Sequence, residues 1–237
     1  IVGLLARQRP WWEPGTASGY QFLTMGFLIG ELVRRVTGKS FGTFFRTEVA
    51  ERLGADFHIG LAPEHRPRLS RIVIDPERDL DLEPGSIPDK AFNNPAEARF
   101  SSRASQAAEI PSANGHGNAR SLARIGSAVA MGGEVDGIRL LSRATLDRAL
   151  EEQSYTTDLV AEVPIRFGLG MGLNSKEYPH PNPNTLHWGG FGGSFCIMDL
   201  DAGICCAYAM NRMLGESFGD DPRNASIKSA LFSVMAG

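Results

Sequence analysis

Between Gln21 and Thr37, apolar Phe22, Met25, Leu28, Ile29, Leu32 and Val36 recur at spacings of three and four, with Glu31, Arg34 and Arg35 largely on the other side. This pattern predicts an amphipathic helix, and Gly38 predicts its stop. Ser40 reads as the N-cap of a second helix, Phe41 to Leu53, which Gly54 ends. A third helix is predicted over 118–131, with Leu122, Ile125 and Val129 on one face and Gly132 and Gly133 behind it. Ser142 caps a fourth, written SRATLDRALEEQ. From residue 166 the pattern changes to strands: RFGLGMGL, then HWGGFGGSFCIMDL, then GICCAYAMNRM. The last two flank Asp201–Gly203, which predicts a tight antiparallel hairpin. A helix over Arg223 to Met235 closes the chain.

Residues 60–118 carry little periodicity and are rich in Pro, Arg, Asp and Asn. They read as a lid-like excursion holding one or two short helices. The order of elements predicts an α/β (α+β) fold, an antiparallel sheet flanked by helices. It divides into a helical, loop-rich part over 1–118 and a helix-and-sheet part over 119–237. Three strands make a thin sheet, so further strands are expected from elsewhere.

Composition narrows the function classes. The 237 residues are 42% hydrophobic and 22% charged, an ordinary globular balance. A formal net charge of −3 gives no electrostatic footprint for nucleic acid. No run of eighteen apolar residues predicts a membrane span. Cys205 and Cys206 are neighbours in one strand and point to opposite faces, so the cysteines read as buried, reduced thiols in a cytoplasmic setting. His58, His65 and His180 have no partner at metal spacing, and His116 in NGHGN reads as a loop or capping residue. No metal or organic cofactor is implied.

Two stretches carry chemistry. In Trp12-Glu13-Pro14-Gly15-Thr16-Ala17-Ser18-Gly19-Tyr20, a Pro-Gly turn delivers Tyr20 to a helix start, where the dipole favours a phenolate. Taken alone, Tyr20 reads first as a packed ring with a bonded hydroxyl, and only its spacing to other motifs changes that. In Leu186 to Asn211, a glycine-packed knot runs into an apolar strand. Glycine is costly in strands, so either something approaches this backbone closely or the knot is a bulge without a ligand.

The W-x-P-G-T-x-x-x-Y spacing, Glu31–Gly38, Asn114–Arg120 and the 187–194 knot, in this order, resemble the serine β-lactamase and penicillin-binding-protein superfamily. Within it the chain looks like the class C β-lactamase-like, or family VIII, carboxylesterases. The superfamily's motifs are Ser-x-x-Lys, Tyr-x-Asn and Lys-Thr-Gly. The resemblance implies that Tyr20 is the catalytic base, with Phe22 standing where the family has asparagine. The third motif admits two registers, beginning at His187 or at Trp188. The second is preferred, and it places Trp188, Gly189 and Gly190 on the motif and gives the Phe191 N–H to an oxyanion. His187 then flanks the pocket. A tryptophan in place of lysine implies a neutral ester substrate. No serine in the chain has a lysine three residues on, and Ser86…Lys90 spans four residues with Pro88 between them. The nucleophile is therefore expected in an N-terminal segment outside this chain, joined in cis or in trans. The alternatives are a β-lactamase or D,D-peptidase-like hydrolase, and a non-catalytic truncated homologue that binds ligand. The residues assign neither a physiological substrate nor an oligomeric state.

Overall fold

The computed structural model describes residues 1–74, 82–92, 101–214 and 221–235. They divide into two compact units. The first holds described residues 1–71, 82–92, 101–117 and 157–163. The second holds 72–74, 118–156, 164–214 and 221–235.

In the first unit the long helix spans Thr24–Thr37, three residues later than the periodicity predicts. Leu23 precedes it and offers no capping oxygen. Ser112 caps it instead: its Oγ accepts the Gly26 N–H at 2.7 Å and donates to the Leu23 carbonyl at 3.0 Å. A Cβ at Gly26 would collide with Ser112, so glycine is what lets this outside cap approach. Gly38 ends the helix in the left-handed conformation, at φ 73°. Its apolar stripe is uncovered: Met25, Leu28, Ile29, Leu32 and Val36 are between 38% and 76% exposed. The second helix forms as α over Phe41–Phe45, π over Arg46–Ala50 and α over Glu51–Leu53, with Gly54 at φ 63°. Ser40 accepts from the Thr43 N–H, as its position predicts, and Glu109 adds a second cap by accepting from the Gly42 N–H at 2.8 Å.

The expected excursion is partly built into this unit. It contains a 3₁₀ turn, Pro63–Arg68, and helices Ile87–Phe92 and Arg103–Ala107. Phe57–Ile59 pairs antiparallel with Gly115–Gly117. Buried Asn114 accepts the Ile110 N–H at 3.0 Å and donates to the Ser105 and Ala108 carbonyls. Residues 101–117 thus act as scaffold, and the parts of the expected excursion at 75–81 and 93–100 lie outside the described residues.

The second unit is a six-stranded meander in which each strand neighbours the next in sequence: β1 Ser154–Thr157, β2 Pro164–Phe167, β3 Gly172–Leu173, β4 Thr185–Gly189, β5 Phe195–Asp199 and β6 Ile204–Tyr208. The chain supplies six strands where the pattern suggested three. RFGLGMGL folds on itself as β2 and β3, turning where Gly170 takes φ 77°. HWGGFGGSFCIMDL likewise splits into β4 and β5. SYTT was hidden because the helix before it ends at Ala149, ahead of the expected Gln153. The Asp201–Gly203 hairpin forms as expected, with Asp199 opposite Ile204.

The Ala119–Ala130 helix starts at Asn118, whose side chain accepts the Ser121 N–H at 2.9 Å, and packs on β5 and β6. Ala130 joins Leu173, Leu186 and Met198 in the core beneath it. The Pro222–Met235 helix covers the opposite face, with Phe232 against His180 and the Lys228 ammonium 5.4 Å from the Phe195 ring centre.

Candidate active site

The Tyr20 loop is fixed by its own backbone chemistry. Gly15, at φ 86°, closes a type II turn in which the Thr16 N–H donates to the Glu13 carbonyl at 3.2 Å. The Trp12 Nε1–H donates to the Ala17 carbonyl at 3.2 Å, and its ring lies where a Gly19 side chain would be. Tyr20 itself does not open the helix. It stands ahead of Thr24, so the first turn's dipole is not directed at its backbone as the motif suggested. Its N–H donates to Asp158 Oδ1 at 3.0 Å. Asp158 is fully buried and also accepts from Ser18 Oγ, Val160 N–H and Ala161 N–H, at 3.2, 2.9 and 2.9 Å. Four donors on one carboxylate compensate its burial and pin the loop. Along the chain Asp158 is one acid ahead of apolar neighbours, with no motif around it to mark this role. Phe22 lies 6.5 Å from the Tyr20 ring and 5.3 Å from that of buried Phe92, in an aromatic cluster of the first unit.

The glycine knot belongs to the second unit. It is the turn between β4 and β5 and not the head of one strand. The Gly190 N–H donates to the Ser194 carbonyl at 2.7 Å, and the Gly193 N–H to the Gly190 carbonyl at 2.9 Å. Gly193 takes φ 101°, and a Cβ there would strike Asp221. Alternation along β4 sends Trp188 to the face of Leu186 and His187 to the other. Trp188 is half-buried with its ring centre 5.2 Å from Phe167. His187 is 8% exposed, places Nε2 at 3.2 Å from the Leu173 carbonyl, and stacks at 4.4 Å on His180. Burial holds His187 at a pKa of about 4 and His180 at about 3.

On the His187 face, the knot's backbone borders a cavity of about 80 Å³ lined by Ile165, Tyr178, His187, Asn224 and Lys228. Burial lowers the Lys228 pKa. Trp188, Gly189, Gly190 and Phe191 also line this cavity. Trp188, Gly189, Gly190, Phe191 and His187 thus share one hairpin, while Tyr20 and Phe22 belong to the other unit. Among the described residues, no three His, Cys, Asp or Glu side chains converge as a metal site would require. No helix there is long and apolar enough to cross a membrane.

A family model described as Beta-lactamase matches residues 1–229. The chain belongs to the beta-lactamase family. A curated member, "Esterase/beta-lactamase LipL" of Mycobacterium tuberculosis, is 35% identical over 216 residues, which are 83% of this chain and 49% of that protein. Among solved structures of the fold, a penicillin-binding protein homologue from Caulobacter crescentus aligns at TM-score 0.86 with 32% identity, covering 98% of this chain and 62% of its own. A family VIII carboxylesterase aligns at 0.85 with 37% identity, over 97% and 62%. The chain therefore spans about half of the curated relative and somewhat under two thirds of these two structures.

Proposed function

We propose that this chain carries the base and the oxyanion side of a serine hydrolase that acts on carboxylic esters through an acyl-enzyme. The carrying observation is the β4–β5 hairpin, where half-buried Trp188 stands beside Phe167; in the preferred register this residue takes the place of the superfamily's lysine. An aromatic wall there suits an uncharged ester and offers no cation to a carboxylate. The names of the relatives, an esterase and a family VIII carboxylesterase, support the same reading. In the reaction, a serine of a Ser-x-x-Lys segment outside the 237 residues attacks the ester carbonyl. Tyr20, held by Asp158, takes its proton. The Phe191 N–H receives the oxyanion, the alcohol leaves, and water releases the acid. The uncovered Met25–Val36 stripe also favours a further segment, since such a face is normally packed.

The test compares Trp188→Ala with His187→Gln on one neutral aryl ester, in the polypeptide that includes the Ser-x-x-Lys segment. Trp188→Ala should lower kcat/KM by about 10–200-fold, as lost contact in an apolar pocket does. His187→Gln should lower stability and leave kcat/KM of the folded fraction near that of the parent. The reverse order would restore the register that begins at His187. Hydrolysis of β-lactams is the second reading, motivated by the double name of the curated relative. Nitrocefin turnover exceeding ester turnover would favour it.

A further inference from the structure

Three cysteines lie on β5 and β6, and two of them face each other. Cys205 stands opposite Met198 and Cys196 opposite Ala207, so the two are diagonal neighbours on the face beneath the Ala119–Ala130 helix. Their sulfurs are 3.7 Å apart. Gly126 of that helix sits directly above them: a Cβ there would lie 2.5 Å from the Cys205 sulfur and 3.0 Å from that of Cys196. The missing side chain leaves room for both sulfurs. Cys206 points to the other face, opposite Ile197. Both members of the pair are partly solvent-accessible.

From this juxtaposition we propose that Cys196 and Cys205 are a dithiol oxidation site, which peroxide converts reversibly to a cross-strand disulfide. A disulfide needs its sulfurs about 2.05 Å apart. The pair starts at 3.7 Å, on strands already held in register. The hydrogen bond between the sulfurs holds the Cys205 thiol below its ordinary pKa and pushes that of Cys196 up, which makes Cys205 the attacking thiolate. Cys205 attacks one peroxide oxygen. The O–O bond breaks, hydroxide leaves and takes up a proton as water, and Cys205 becomes a sulfenic acid. The Cys196 sulfur then attacks the Cys205 sulfur. The S–O bond breaks, and hydroxide departs as water with the Cys196 proton. Two thiols and one hydrogen peroxide give one disulfide and two waters, with two electrons passing from sulfur to oxygen.

The experiment treats the folded Cys206→Ser chain with hydrogen peroxide, blocks residual thiols, and cleaves at Asp199 and Asp201, which separates Cys196 from Cys205. Non-reducing mass spectrometry should show the two peptides joined with the loss of two hydrogen atoms, and dithiothreitol should part them. In Cys196→Ser, dimedone should trap a sulfenic acid on Cys205. Independent oxidation of the two thiols to sulfinic acid without a link would overturn the proposal. So would a link that forms only in urea, or thiols that stay alkylatable after peroxide treatment. Should Cys196→Ser fail to fold, the Cys206→Ser chain alone still decides the matter.

Discussion

Asp158 shows how much one residue can organise. Its carboxylate is fully buried and answers four donors, among them the Ser18 hydroxyl and the Tyr20 N–H. Asp158→Ala would leave the Tyr20, Val160 and Ala161 N–H groups without this acceptor, and a buried donor left alone costs about 1–3 kcal/mol. The expected loss is on the order of 3 kcal/mol in urea denaturation, and a loss under about 1 kcal/mol would show that water replaces the carboxylate. His180 and His187 give a pH dependence. Their folded pKa values, about 3 and about 4, lie below the ordinary histidine value of about 6.5. The unfolded chain therefore binds protons first as pH falls. The stabilising contribution is full above pH ~6.5 and is lost progressively as pH falls toward about 4 and then about 3. The thermal midpoint should drop from pH 7 to pH 4.5, and His180→Phe should make that drop shallower. An unchanged slope in the variant would contradict this account of His180.

At the scale of elements, the Ala119–Ala130 helix can approach β5 and β6 because Gly126 has no side chain. Gly126→Ala should destabilise by about 1–3 kcal/mol, the usual cost of overpacking, although alanine is the better helix former. Cys205→Ala in the same chain should recover part of that loss, since the nearest clashing atom is gone. Additive effects in the double-mutant cycle would mean that the clash lies elsewhere. The same scale shows what a sequence reveals. The stops at Gly38 and Gly54 and the caps at Ser40 and Ser142 were legible because each acts within a few residues. Ser112 capping Gly26 and Asp158 holding Tyr20 were not, because their partners are 86 and 138 residues away. The knot misled for another reason: a run rich in glycine holds the end of one strand and the start of the next, and alternation does not mark the turn between them. Tyr20, Trp188 and the glycines are candidates from motif spacing, and the groups that hold them are visible only in the fold.

On the scale of the whole molecule, the family match runs over residues 1–229, while the chain spans 49% of the curated relative. Met25, Leu28, Ile29, Leu32 and Val36 lie uncovered on one helix of the first unit. If the Ser-x-x-Lys segment packs there, hydrogen exchange in Thr24–Thr37 should slow when that segment is present, and unchanged exchange would place it elsewhere. The central claim is that Tyr20 serves as the base of an ester hydrolase whose nucleophile comes from that segment. The most direct measurement is p-nitrophenyl acetate hydrolysis by the polypeptide containing the segment, with Tyr20 and with Tyr20→Phe, beside the 237-residue chain alone. The expected result is turnover in the first, a loss of about 10²–10⁴-fold in Tyr20→Phe, and none above background in the chain alone. Undiminished turnover in Tyr20→Phe, or phosphonate-sensitive turnover by the 237 residues alone, would contradict it.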